Sequence, residues 1–139
     1  MLQRKQTLWL LVAAAAAILS LKLPVETGGQ LLVDVNNMNQ TVNGLYNLPL
    51  TILSVAIAVI ALITIFLYKN RKTQGRLAIT AFLLSILTLG LYVKAIMELT
   101  GGTISLSALI VLLIPVAIFY AIRGIRKDEA LMKSLDRLR

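Results

Sequence analysis

An all-α, membrane-embedded bundle of four transmembrane helices, ending in a short amphipathic cytoplasmic helix, is the fold this sequence predicts. Three observations predict it. The chain is 58% apolar and only 14% charged, with a mean hydropathy of +0.85. Soluble domains carry about a quarter charged residues, so this chain has too few polar side chains to coat a core in water, and lipid is the better solvent. The apolar residues gather into four runs, most of them near the roughly 20 residues that cross a bilayer as a helix. Lysine and arginine are distributed so that twelve of the 14 fall on one side if all four runs cross. At 139 residues one domain is expected. It is a single four-pass domain over residues 1–139, with helices at about 7–23, 48–68, 77–97 and 104–122, an external loop at 24–47 and a cytoplasmic tail at 123–139.

The first run, "TLWLLVAAAAAILSLKL" from Thr7 to Leu23, is the shortest, and Lys22 can carry its ammonium back to the headgroups. Arg4 and Lys5 followed by an apolar stretch also have the layout of a secretory signal peptide. A retained anchor helix is the reading adopted. If it crosses, the N-terminal pair joins the other basic clusters; if it does not, the pair lies opposite them. Its alanines, Ala13 to Ala17, mark a face that another helix can approach closely.

The second, third and fourth runs are Leu48 to Tyr68, Leu77 to Met97 and Ile104 to Ile122. Small residues recur on one face of each: Ser54, Ala58 and Ala61; Ala81 and Ser85; Ala117, Ala121 and Gly124. Without a hydrophobic drive between helices in lipid, such faces let backbones pack by dispersion. Pro115 removes one N–H inside the fourth run and predicts a kink there. Lys69, Arg71, Lys72 and Arg76 fill the short link between the second and third runs.

Two external segments remain. In "LPVETGGQLLVDV" the pair Gly28-Gly29 separates two apolar-alternating stretches and suggests a hairpin. "NNMNQTVNG" is turn-rich and holds a sequon at Asn39-Gln40-Thr41, which matters only in a glycosylating compartment. Glu98 to Thr103 reads as a tight turn around Gly101 and Gly102. In the tail, Leu131, Leu135 and Leu138 are spaced for one helix face, and Glu129 can pair with Lys133. That predicts a short amphipathic helix continuing from, or bending off, the fourth helix near Gly124.

Chemistry is scarce. With no cysteine and no histidine, thiolate sites, cysteine nucleophiles, histidine acid-base catalysis and histidine-ligated haem are excluded. The carboxylates and arginines lie in loops and tail without a convergent set, so no catalytic, cofactor or metal site is expected, and no small-molecule substrate is identified. The net charge of +8 flanks apolar runs; it reads as membrane orientation and lipid attraction, not nucleic-acid binding. Lys94 is the one charge inside the second, third and fourth runs. Snorkelling explains it, and so does an ion pair with Glu98 one turn on. Thr51, Ser54, Thr80, Ser85 and Thr88 are hydroxyls that bond carbonyls of their own helix, or that would line a polar path if the chain were a transporter subunit.

"MLQRKQTLWLL" at the start and "IRKDEALMKSLDRLR" at the end resemble an uncharacterised family of small four-helix membrane proteins from Bacteroidota. Its members begin Met-Ile-Gln-Arg-x-Gln-Thr and end Arg-x-Lys-Asp-Glu…Asp-Arg-Leu-Arg, and Leu2 here replaces the usual isoleucine. The resemblance spans the whole chain and implies a bacterial inner membrane, but no catalytic residues. It singles out Gln3, Arg4, Gln6 and Thr7, with Arg126 to Glu129 and Asp136 to Arg139. Composition gives no reason for either glutamine. An ion pair of Arg4 with Asp128 or Asp136 would join the two ends.

The function expected is therefore that of a non-enzymatic integral inner-membrane protein, both termini cytoplasmic, serving as an accessory, assembly or structural component of a membrane complex. The alternative is a small transporter or channel subunit that forms a pathway only as an oligomer. The expected contacts with lipid or a larger complex are Arg4, Lys5, Arg126, Lys127, Lys133, Arg137 and Arg139.

Overall fold

A computed structural model describes residues 2–31, 40–67, 70–100 and 102–137. Four helices stand in chain order: α1 (Leu2–Lys22), α2 (Leu48–Phe66), α3 (Arg71–Met97) and α4 (Ala108–Arg137). Each packs on its chain neighbours, and α1 closes the ring against α4. The helical class expected from hydropathy is what forms. α2, α3 and the Ala108–Met132 part of α4 are long and apolar enough to cross a membrane; the apolar part of α1, Gln6–Lys22, is shorter.

Every helix buries one stripe. On α1 it is Gln6, Leu10, Ala13, Ala17 and Ser20; on α2, Leu50, Ser54, Ile57, Ala61 and Thr64. On α3 it is Gln74, Ala78, Ala81, Ser85, Thr88, Tyr92 and Ala95; on α4, Val111, Ile114, Ile118, Ala121, Ile125 and Asp128. The steps alternate between three and four residues, the 3.5-residue period that keeps one seam facing its neighbours in left-handed bundles. Of the 22 buried apolar residues among the described ones, 11 are alanine. Large side chains point outward instead: Leu11 and Ile18, Val55 and Phe66, Leu83 and Leu87, Leu112 and Phe119 are all exposed. Small inside and large outside inverts the usual soluble order. In water this apolar girdle would far exceed the few hundred Å² that monomers tolerate; in lipid it is solvated, and the alanine interior gains dispersion contact between close backbones.

Several boundaries move. α1 and α3 begin earlier than the apolar runs, so Arg71, Lys72 and Arg76 lie on α3, not in a link. No separate tail helix forms: α4 runs through Pro115 and Gly124 to Arg137. It starts at Ala108 because residues 103–104 are drawn into a sheet.

That sheet is the main addition to the sequence reading. β1 (Glu26–Leu31) is central, with β2 (Gln40–Val42) antiparallel on one side. On the other side β3 (Leu99–Thr100) and β4 (Thr103–Ile104) both pair with β1. Leu31 pairs with Leu99, Gln30 with Thr100, Thr27 with Thr103 and Glu26 with Ile104, so residues 99–100 and 103–104 of the α3–α4 connection both lie along β1. The hairpin does not turn at Gly28-Gly29, because β1 runs straight through that pair. Nor is the second connection a tight glycine turn: Gly102 is where the edge passes the Glu26 side chain, and an added Cβ would overlap the Glu26 carboxyl. Gly101, Asn39 of the sequon and Leu138 lie outside the described residues.

Gly44 seats this sheet on the bundle. Its N–H donates to Ser20 O at 2.8 Å, and Tyr92 OH donates to the same carbonyl at 3.3 Å. One of the orphan carbonyls at the end of α1 is thereby satisfied. Lys94 and Glu98 pair at 3.8 Å, as their spacing predicts, with both side chains largely exposed. Such a pair contributes roughly a few tenths of a kcal/mol.

Glu26 is 3% exposed, and its Oε2 has no hydrogen-bond partner. Burial raises its pKa above the ordinary 4.5. Charging it costs more in the folded chain than in the unfolded one. Its contribution is therefore most favourable below pH 4.5 and is lost as pH rises through the raised value. The thermal midpoint of the wild type in detergent should fall between pH 4 and 8, and Glu26→Gln should remove that part of the slope. Parallel pH profiles would show that the carboxyl is not buried in solution.

Candidate functional site

The charged end of the bundle is where α1 and α3 begin and α2 and α4 end. Each inner stripe finishes there in a polar residue, Gln6, Thr64, Gln74 and Asp128, all buried. Lone buried polar groups cost free energy unless bonded. Here they bond across helices. Gln6 Nε2 donates to Asp128 Oδ2, joining α1 to α4. Gln74 Nε2 donates to Thr64 O at 3.1 Å, joining α3 to α2. Arg71 Nη1 lies 3.9 Å from Asp128 Oδ2 and brings α3 to the same carboxylate. The Thr64 hydroxyl turns back to Ile60 O at 2.6 Å.

Close approach of α1 and α4 makes this possible. A Cβ on Gly124 would stand 2.7 Å from Gln6 Cγ, so only glycine leaves room for the glutamine beside Asp128. A little deeper, the rings of Trp9 and Tyr120 stack at 5.0 Å between centroids. Aromatic residues with polar tips favour the headgroup level of a bilayer.

Of the contact residues expected from the sequence, only Arg126 and Lys127 have side chains in the described part. Arg126 and Lys127 are exposed on α4 beside the buried Asp128. Arg4 and Lys5 lie in the first turns of α1, and Lys133 and Arg137 in the last turns of α4, with side chains outside the described part. Arg139 and the Arg4 side chain lie outside the described part, and with them the expected pairing of Arg4 with Asp128 or Asp136. The Asp128 carboxylate is engaged by Gln6 and Arg71. Gln6 was singled out by the resemblance alone. Arg71 and Gln74 were missed, although Gln74 continues the stripe of Ala78, Ala81 and Ser85 at the same spacing.

Of the five hydroxyls weighed as a polar path, Ser54, Ser85 and Thr88 lie in the buried stripes, Thr51 is half-buried and Thr80 is exposed. Thr80 is exposed and bonds Leu77 O at 2.8 Å; Thr51 bonds Gly44 O at 2.9 Å. Ser85 and Thr88 are buried but bond Phe82 O and Leu84 O, carbonyls of their own helix. Ser54 Oγ is buried near the Tyr92 hydroxyl and makes no well-formed hydrogen bond among the described residues. The polar layer at the charged end thus offers amides, one carboxylate and one guanidinium already committed to each other. That chemistry clamps helices.

A family described as a domain of unknown function, DUF4293, has a model that matches residues 2–138. This agrees with the resemblance as far as an uncharacterised family goes. No curated protein and no solved structure matches the chain.

Proposed function

The chain belongs to the DUF4293 family, and from that premise and the geometry we propose that it is a non-enzymatic membrane protein of four crossings, an accessory or assembly component of a larger membrane complex. Both termini lie at the cytoplasmic face of a bacterial inner membrane, as the resemblance to Bacteroidota proteins implies.

The observation that carries the four crossings is the end-to-end match of α1 with α4. Gln6 meets Gly124 and Asp128 at the charged end. At the far end, Ser107 Oγ donates to Pro24 O. Residues 6–24 of the first strand of the bundle therefore run beside 107–124 of the last, nearly residue for residue. α4 is long and apolar enough to cross, and α1 lies alongside its residues 107–124, which supports reading α1 as a fourth crossing. The exposed Leu8, Leu11, Ile18 and Leu19 of α1 continue the apolar girdle of its neighbours. The charges agree: Arg71, Lys72, Arg76, Arg123, Arg126 and Lys127 lie at the charged end, and Lys22 and Lys94 at the other.

A role in a complex is supported by what the bundle lacks inside and carries outside. Its inner polar groups are largely spent on bonds within and between its own helices, while Arg126 and Lys127 are exposed beyond the girdle. The test is co-purification of the tagged full chain in mild detergent, beside solute flux in proteoliposomes of the chain alone. A stoichiometric membrane partner, lost when Arg126 and Lys127 are changed to Gln, with no flux, is the expected result. Flux from the chain alone would favour the second reading, a transporter or channel subunit, for which the buried hydroxyl of Ser54, without a well-formed hydrogen bond, is the one supporting observation.

A further inference from the structure

A groove of about 340 Å³ opens on the outer side of the charged end, between α3 and α4. Arg71, Lys72 and Arg76 line it from α3 and Arg126 and Glu129 from α4. Asp128 compensates Arg71 in part, and with four cations against these two carboxylates the groove stays net positive and suits an anion. The first turn of α3 adds to the positive field: it contains no acidic residue, and its N-cap Asn70 makes no side-chain cap. At the deeper end the lining changes to Ile79 and Ile122. Ile79 belongs to the apolar run of α3, just past Arg76, and Ile122 is the last apolar residue before Arg123. A charged mouth over an apolar floor, open sideways between two membrane helices, has the polarity gradient of a single lipid.

We propose that this groove binds one anionic phospholipid of the adjoining leaflet, its phosphate diester held by Arg71, Lys72, Arg76 and Arg126 and an acyl chain laid along Ile79 and Ile122. Arginine suits the task, because its planar fork meets two phosphate oxygens at once. Arg71 also reaches Asp128, so the bound lipid braces the same α3–α4 contact that the polar layer holds from inside. Gly75 lies in the groove wall, and a Cβ there meets only Ile125 Cγ2, at 3.8 Å. The glycine leaves the floor of the mouth open. This site rests on the membrane reading above.

The test is native mass spectrometry of the full chain released from nanodiscs of phosphatidylcholine and phosphatidylglycerol in equal parts. One phosphatidylglycerol should stay bound, preferred about tenfold over phosphatidylcholine. The double variant Arg76→Gln with Arg126→Gln should lose that preference. Gly75→Leu should lose it too, with every cation in place, and it decides the matter if the double variant does not fold. Lys127→Gln, an exposed cation outside the groove, should keep it. Equal retention of the two lipids, or an equal loss in Lys127→Gln, overturns the site. Displacement by millimolar inorganic phosphate overturns the lipid in favour of a free anion. A disc-incorporated chain without lipid preference refutes this site alone, whereas a chain that stays out of the discs refutes the membrane reading beneath it.

Discussion

Replacing Asp128 by alanine should lower stability in detergent by about 3 kcal/mol, the middle of the range for stranding one partner of a buried polar or ionic contact. The carboxylate is 9% exposed and serves two helices at once, through Gln6 and Arg71. Its removal leaves the Gln6 amide unbonded in an alanine-lined interior and Arg71 without its counter-ion. Asp128→Asn keeps an acceptor for Gln6 and should cost less. Gln6→Leu with Asp128→Leu removes both buried partners and should cost less than the two single changes summed, since the orphaned groups disappear together. Thermal or denaturant unfolding in detergent reads all five variants. Additive effects would mean that the two side chains do not meet.

The second large effect is expected at Gly44. An alanine Cβ there would lie 2.9 Å from Leu21 Cα and 2.9 Å from Ser20 O, both backbone atoms that cannot turn aside. The junction between α1 and the α1–α2 connection would have to open, breaking the Gly44 N–H bond to Ser20 O and moving the carbonyl that Tyr92 also uses. Overpacking against backbone costs about 1–3 kcal/mol. Gly90→Ala is the control: nothing lies within 4 Å of its added Cβ, and alanine in a helix interior is favoured over glycine by up to about 1 kcal/mol. Proteolysis of the intact protein should show the loop around β1 and β2 cut faster in Gly44→Ala and unchanged in Gly90→Ala. Equal rates in the two variants would remove Gly44 from the junction.

Much of the bundle was legible because lipid imposes a simple rule: apolar runs must be long and must bond their own backbones. The small-residue faces of Ser54–Ala58–Ala61 and Ala117–Ala121 marked the interior directly, since only those positions let backbones close up. The sheet was less legible. β1 contains Gly28-Gly29, which carries a turn signal by composition, yet the strand continues because segments from two other connections pair with it. Such pairing is nonlocal and leaves no local pattern. The clamp at the charged end lay hidden for a different reason. Asp128 sits within "IRKDEAL", where charge density suggests a solvated tail, and only the register carried from Ile118, Ala121 and Ile125 turns it inward. The same register applied to α3 would have found Gln74.

The most direct test of the account is labelling in whole cells with a thiol probe that cannot cross a membrane, using single cysteines in this cysteine-free chain. Thr41, Thr73 and Ser134 are exposed positions, and Gln3 reports the start of α1. The account predicts labelling at position 41 from outside, and at positions 3, 73 and 134 only after the cells are opened. Labelling of position 3 from outside together with position 41 would contradict it, because α1 would then lie beside the membrane helices without crossing.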